Sequence, residues 1–279
     1  MDPVNLRNSQ TVVLAGAGHV HLYVAAHARE LVKNGARVVL VDPGKFWYSG
    51  LATGMLGGMY DCAEDRVDAK ALAEAHGAEF IRDRVAAVDT SARRLRLAGG
   101  AELAYDYLSL NIGSQVNADG IAGAADDPSV WTVKPISNLW KLRVHLEACF
   151  RANETPRVAV VGGGPTGSEV AANLAALARI FHRTVHVTLL TPDDRLIIQA
   201  PAGAARRLQR ELIRSGVDIR THVRVVLRKG QALIAEDGRR IPADLVVLAT
   251  GLEMHPLVQA MGLPTRPKHG LRINRMLHS

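Results

Sequence analysis

Apolar residues along this chain come in short β-branched runs, each followed by a glycine turn or by an alanine-rich stretch with helical spacing. TVVLA at Thr11–Ala15 predicts a buried strand, and a helical pattern then runs to about Asn34, where Gly35 stops it. RVVLV at Arg37–Val41 is the next strand. The stretch 43–60, PGKFWYSGLATGMLGGMY, lacks either periodicity and reads as a loop that packs close to a flat ligand. A helix over 68–76, a strand over 80–88 and a hairpin of 93–97 with 102–105 across Gly99-Gly100 follow. A strand over 107–112 ends in Gly113-Ser114. The polar, Asp/Gly-rich stretch 117–129 marks a domain boundary.

Beyond that boundary the pattern begins again. A helix over 136–150 carries apolar Leu139, Leu142, Leu146 and Cys149. A strand over 158–161 turns through glycines into an alanine-rich helix over 170–178, and a second strand covers 184–190. An amphipathic helix over 203–215 precedes strands over 218–228 and 231–235, a turn at Asp237-Gly238, and a buried strand over 244–249 that ends in Thr250-Gly251. Residues 270–279 read as a last strand. The chain is therefore expected to be α/β, with two Rossmann-like dinucleotide-binding domains, the second inserted into the first. The expected boundaries are 1–120, 121–244 and 245–279.

The glycine turns supply the candidate chemistry. Gly162, Gly164 and Gly167 give the G-x-G-x-x-G spacing between a strand and a helix, the context in which it carries weight. Gly162 allows the tight turn, Gly164 leaves the backbone open to a pyrophosphate, and Gly167 lets the helix lie close on the strand. Helix N-terminal amides and the helix dipole then favour the phosphate charge. Gly16 and Gly18 repeat the spacing at the N-terminus, with His21 in place of the third glycine, so that helix is expected to stand further from its strand. Asp42 closes the following strand, where such folds place the carboxylate that binds an adenosine ribose. His19 is expected at the helix N-terminus near the ligand, with His21 packed beneath it. His19, His21 and His27 match no helical metal-ligand spacing, so no metal site is read there. No acid directly follows the strand over 184–190; Thr191-Pro192 stands there, then Asp193, Asp194 and Arg195. The choice between NADH and NADPH stays open, although a nearby arginine would tolerate a 2′-phosphate.

Composition narrows the classes. The 279 residues suffice for two modest domains, and the net charge of +7 comes with an arginine-rich second half. Those arginines are spread along helical and strand patterns, which suits a solvated face that attracts anionic cofactors and argues against a nucleic-acid partner. Two distant cysteines, Cys62 and Cys149, exclude a disulfide framework and any C-x-x-C motif, and suit a cytoplasmic protein. The N-terminal MDPVNLRNSQ has no signal-peptide core, and no apolar run is long enough to span a bilayer. Asp61, Glu64, Asp65 and Arg66 read as a helix N-terminus on the surface. No acid–base residue is assigned; hydride transfer does not require one.

With these residues placed, the chain resembles the FAD-dependent pyridine nucleotide-disulfide oxidoreductase superfamily, on the branch of type II NADH dehydrogenases and sulfide:quinone reductases. It is most similar to such domains found fused to selenophosphate-synthetase-like proteins. The likeness rests on GAGHVH at 16–21, YSGLATGMLGG at 48–58, YDYLSLNIGS at 105–114, VVGGGPTGSEVA at 160–171 and ADLVVLATG at 243–251. It implies that Gly16, Gly18, His19 and Asp42 hold the ADP half of FAD, with Val85 by the adenine and Gly113 toward the flavin. It implies that Gly162, Gly164, Thr166, Gly167 and Glu169 hold NADH or NADPH, with Gly251 near the junction. Hydride would pass from nicotinamide C4 to flavin N5, the cofactor supplying the chemistry.

Two departures shape the expectations. The redox cysteine pair of the disulfide reductases is absent from 48–58, so electrons are expected to leave the flavin directly, to a quinone. The family continues past a strand like LRINRMLHS into a Gly-Asp flavin motif and a C-terminal domain. The chain is accordingly expected to be a truncated form with weakened FAD binding, and peripheral attachment to the inner membrane belongs to a full-length form. Two other readings stand beside the quinone reductase: a reductase for a small iron–sulfur carrier, and a non-catalytic nucleotide-binding module.

Overall fold

A computed structural model describes residues 10–266 and 270–279; the polar N-terminal stretch read above lies, up to residue 9, outside them. The described residues separate into two compact units, one from 10–46, Arg66–Ser114, 253–266 and 270–279, the other from Trp47–Asp65 and Gln115–Leu252. In chain order the second is inserted into the first. The chain passes from the first unit to the second at Ser114/Gln115 and back at Leu252/Glu253, and Trp47–Asp65 also belongs with the second unit.

The first unit is built on a parallel sheet in the order Glu79–Ile81, Arg37–Val41, Thr11–Ala15, Tyr107–Leu110. Parallel strands covered on both faces read as continuous apolar runs, which is how TVVLA and RVVLV arise. One face packs Leu14, Val38 and Leu40 against small helical residues, among them Ala25, Ala28, Ala69 and Ala73. The other packs Val13, Val39 and Val41 against Leu95, Leu97 and Leu103 of an antiparallel meander. Each fully buried Val or Leu contributes about 1.5–3 kcal/mol. The helical pattern to Asn34 is two helices, His19–Ala26 and Ala28–Lys33, broken at His27, whose ring Nδ1–H donates to the Tyr23 carbonyl. The helix expected over 68–76 is Ala69–Ala75, capped by Asp68, which accepts from the Ala71 amide.

The second unit holds a five-stranded parallel sheet in the order Val130–Thr132, Leu245–Leu248, Arg157–Val161, His186–Leu190, Val217–Arg220. Helix Ser137–Arg151 buries Leu139, Leu142, Leu146 and Phe150; Phe150, not Cys149, completes its apolar stripe. Helix Pro165–Ile180 covers the central strands with Val170, Ala171, Leu174 and Leu177. Arg228 is buried beside the sheet, donating to Asp127 Oδ2 (2.9 Å), Ser129 Oγ (2.8 Å) and the Ala243 carbonyl (2.9 Å).

Several expectations need correction. The loop over 43–60 contains a helix, Ala52–Leu56, whose Ala52, Met55 and Leu56 are buried. Arg143 holds its end, donating to the Met55 and Tyr60 carbonyls. The strand over 80–88 is two, Glu79–Ile81 and Val85–Asp89, in different sheets; that over 218–228 likewise splits into Val217–Arg220 and Val225–Arg228. The last strand is only Gly270–Leu271, paired with Thr265–Arg266. The charged group at 61–66 is not a surface helix start: Asp65 is fully buried and Arg66 opens a strand.

Candidate dinucleotide sites

In the second unit, strand Arg157–Val161 leads into Gly162, whose φ of +123° suits glycine alone and whose amide donates to the Leu190 carbonyl. A Cβ at Gly162 would collide with the Ala249 carbonyl oxygen, and one at Gly167 with that of Gly162. Both glycines are therefore required by backbone packing. Gly164 differs: it precedes helix Pro165–Ile180 with extended backbone, and a Cβ there would meet only open space. Pro165 follows at the first helical position, where a missing N–H costs nothing.

That open space is a cavity of about 520 Å³ at the carboxyl ends of the central strands. Gly162, Gly164, Thr166 and Gly251 all line it. A cleft in this position beside helix N-terminal amides is suited to a dinucleotide pyrophosphate. Gly167 lies beneath the turn. Glu169 is exposed and outside the cavity wall; its carboxylate accepts from Thr53 Oγ1 at 3.0 Å. Sequence reasoning missed the rest of the wall: Asn117, Thr191, Gln199, Arg224 and Thr250 among them. It also missed Gly163, the variable position of the fingerprint, where a Cβ would lie 2.6 Å from Thr191 Cβ.

In the first unit the turn after Thr11–Ala15 is held by the Gly16 amide, which donates to the Val41 carbonyl. A Cβ at Gly16 would meet the Asn111 carbonyl oxygen at 2.5 Å, and one at Gly18 would collide with the Asn111 side chain. Gly113, at φ +76°, lies two residues beyond Asn111. Asp42 Oδ2 accepts from the Ala17 amide and Oδ1 from that of Gly44, both at 2.8 Å. Each oxygen keeps acceptor capacity, so a carboxylate fixed in this way suits the hydroxyls of a ribose. His19 opens helix His19–Ala26, exposed, with its ring edge-on to Phe46 at 4.8 Å. Val85 sits half-buried opposite Leu97 in the meander.

His21 is buried where the third glycine was expected. Its Nδ1–H donates to the Gly16 carbonyl (2.6 Å), and its Nε2 accepts from the Ser109 hydroxyl (2.8 Å). Burial pushes the imidazole below its ordinary pKa, partly offset by the bond to Gly16. Both ring nitrogens are thus committed within the fold.

The family described as pyridine nucleotide-disulphide oxidoreductase matches residues 10–279. The chain is similar to the biphenyl dioxygenase system ferredoxin–NAD(+) reductase component of Paraburkholderia xenovorans (strain LB400), 32% identical over 71% of this chain and 47% of that protein. It is similar to the type II NADH:quinone oxidoreductase of Haemophilus influenzae, 25% identical over 95% of this chain and 67% of that one. The solved ferredoxin reductase for the CYP199A2 system from Rhodopseudomonas palustris superposes with a TM-score of 0.77 at 23% identity, covering 92% of this chain and 63% of that one, a likeness of fold. The chain spans about half the length of the curated relatives it matches.

Proposed function

The chain belongs to the pyridine nucleotide-disulphide oxidoreductase family, and on that premise we propose that it is an FAD-dependent NAD(P)H oxidoreductase delivering electrons to a quinone. The observation that carries this reading is the duplication: each unit has its own strand, glycine turn and helix, at Gly16–Gly18 and at Gly162–Gly167.

FAD is assigned to the first unit, because Asp42 is fixed there by two amides at the end of its strand. Gly16, Gly18 and His19 would hold the FAD pyrophosphate, with Val85 by the adenine and Gly113 toward the flavin. The nicotinamide nucleotide is assigned to the second-unit cavity. There Gly164 and Thr166 would receive its pyrophosphate, Gly162 and Gly167 set the turn, Gly251 lines the wall, and Glu169 accepts from the Thr53 hydroxyl. When bound, the flavin supplies the redox chemistry, accepting hydride from the nicotinamide and releasing electrons onward. The segment 48–58 has no cysteine, so no dithiol intervenes.

Quinone as acceptor is supported by the similarity to the type II enzyme over 95% of the chain. We place the protein in the cytoplasm, with peripheral membrane contact belonging to a full-length form; among the described residues no helix is long and apolar enough to cross a membrane. A second reading, reduction of a small iron–sulfur carrier, is favoured by helix Ala202–Arg214, which exposes Arg206, Arg207, Arg210 and Arg214. Those cations suit an acidic partner. NADH oxidation by the FAD-supplied chain, with a water-soluble quinone or a ferredoxin as acceptor across a salt series, separates the two. Salt-insensitive quinone turnover supports the first reading; turnover only with ferredoxin, falling steeply with salt, replaces it with the second.

A further inference from the structure

We propose that Asp193 makes the second-unit cavity selective for NADH over NADPH, taking the ribose-binding role that the uncharged Thr191 does not supply. This rests on reading the cavity as the nicotinamide-nucleotide site.

Dinucleotide folds place a carboxylate at the end of the second strand, where it accepts from the ribose hydroxyls and repels a 2′-phosphate. Here strand His186–Leu190 ends in Thr191, which is completely buried. Its side chain is wedged against the glycine turn: a Cβ at Gly163 would lie 2.6 Å from Thr191 Cβ and 2.7 Å from its Oγ1. Thr191 lines the cavity wall but carries no charge, so it cannot supply that carboxylate.

Asp193 is the acid that reaches the cavity wall. Thr191 orients it in both directions. The Thr191 hydroxyl donates to Asp193 Oδ2 and accepts from the Asp193 amide, each at 3.3 Å. The Asp193 carbonyl in turn accepts from the His222 amide at 3.0 Å, and the Val223 amide donates to the Thr191 carbonyl at 2.8 Å. The carboxylate is therefore mounted on backbone braced from the facing loop.

The cations nearby do not offset it. Arg195 is not among the residues that line the cavity, and its Nη2 is engaged by backbone, donating to the Ile198 carbonyl at 2.9 Å and lying 3.4 Å from that of Ala200. Arg224 does line the cavity, but its side chain is 62% exposed and its Nε lies 3.6 Å from Glu236 Oε2. Its charge is shared and screened by solvent. A ribose diol finds a fixed acceptor in Asp193, whereas a 2′-phosphate meets a fixed like charge.

The test is calorimetric titration of the full chain with NADH and with NADPH, for the wild type, Asp193→Asn, Asp193→Ser and Arg224→Ala, each checked for folding by circular dichroism. The wild type is expected to bind NADH at least about tenfold more tightly, and both Asp193 variants to close that ratio by about tenfold. A wild type that prefers NADPH, or a ratio unmoved by either Asp193 variant, overturns the proposal. A ratio that moves only with Arg224→Ala assigns the selection to Arg224 instead. A wild type that binds neither nucleotide overturns the reading of the cavity itself, and the proposal with it.

Discussion

His21 Nε2 stands 2.8 Å from Ser109 Oγ, tying the first helix to the strand Tyr107–Leu110. With Nδ1 on the Gly16 carbonyl, one imidazole joins strand, turn and helix at the place where nucleotide folds carry a glycine. Burial holds its pKa below the ordinary value. As pH falls through the ordinary histidine range the unfolded chain takes up a proton that the folded chain resists, so this contribution is full above about pH 6.5 and is lost on acidification. His255, lowered by burial and by Arg84, acts in the same direction. Thermal unfolding between about pH 7.5 and pH 5.5 is therefore expected to show a falling Tm, with a shallower slope in His21→Gln than in the wild type. Equal slopes would remove His21 from the account.

The two glycines of the second turn make opposite predictions. Gly164→Ala introduces a Cβ into open space, so stability should stay within about 0.5 kcal/mol while NADH affinity falls at least about tenfold. Gly167→Ala sets a Cβ against the Gly162 carbonyl and should cost about 2 kcal/mol or more in stability. Urea unfolding and NADH titration of the pair check both. A Gly164→Ala chain that binds NADH normally would mean that the phosphates do not lie over this turn.

Arg228 predicts a purely structural loss. Its side chain is 3% exposed, and its removal takes a donor from Asp127 Oδ2, Ser129 Oγ and the Ala243 carbonyl and leaves the Asp127 charge without its cation. Burial opposes ionisation of Asp127, but Ser129 and Arg228 outweigh it and hold its carboxyl below the ordinary value. Arg228→Ala is expected to cost about 3–5 kcal/mol by urea unfolding. A loss under about 1 kcal/mol would show that water replaces the guanidinium.

How much of this was legible in the sequence follows from where the determining contacts lie. The two strand–glycine–helix units were legible because their signals are local: β-branched runs, then glycines at fixed spacing. The place of Asp42 at the end of its strand was legible for the same reason. The splits inside 80–88 and 218–228 were not, because in FIRDRVAAV only the short charged run Arg82–Arg84 separates two apolar stretches, and sequence does not record that they join different sheets. Helix Ala52–Leu56 has poor intrinsic propensity, with Thr53 and Gly54 inside it, and persists through burial and the Arg143 cap. Asn117, Gln199 and Arg224 meet in one cavity from three distant segments, which no periodicity records. The substitution of His21 for glycine was visible, but its bond to Ser109, 88 positions away, was not.

The central proposal is that this chain binds FAD and that the bound flavin accepts hydride from NADH. Its most direct test is the visible absorption spectrum of the FAD-supplied chain under anaerobic conditions, before and after NADH. The account predicts a retained flavin band that NADH bleaches in stoichiometric amount. A flavin that is retained yet stays oxidised in excess NADH would contradict it.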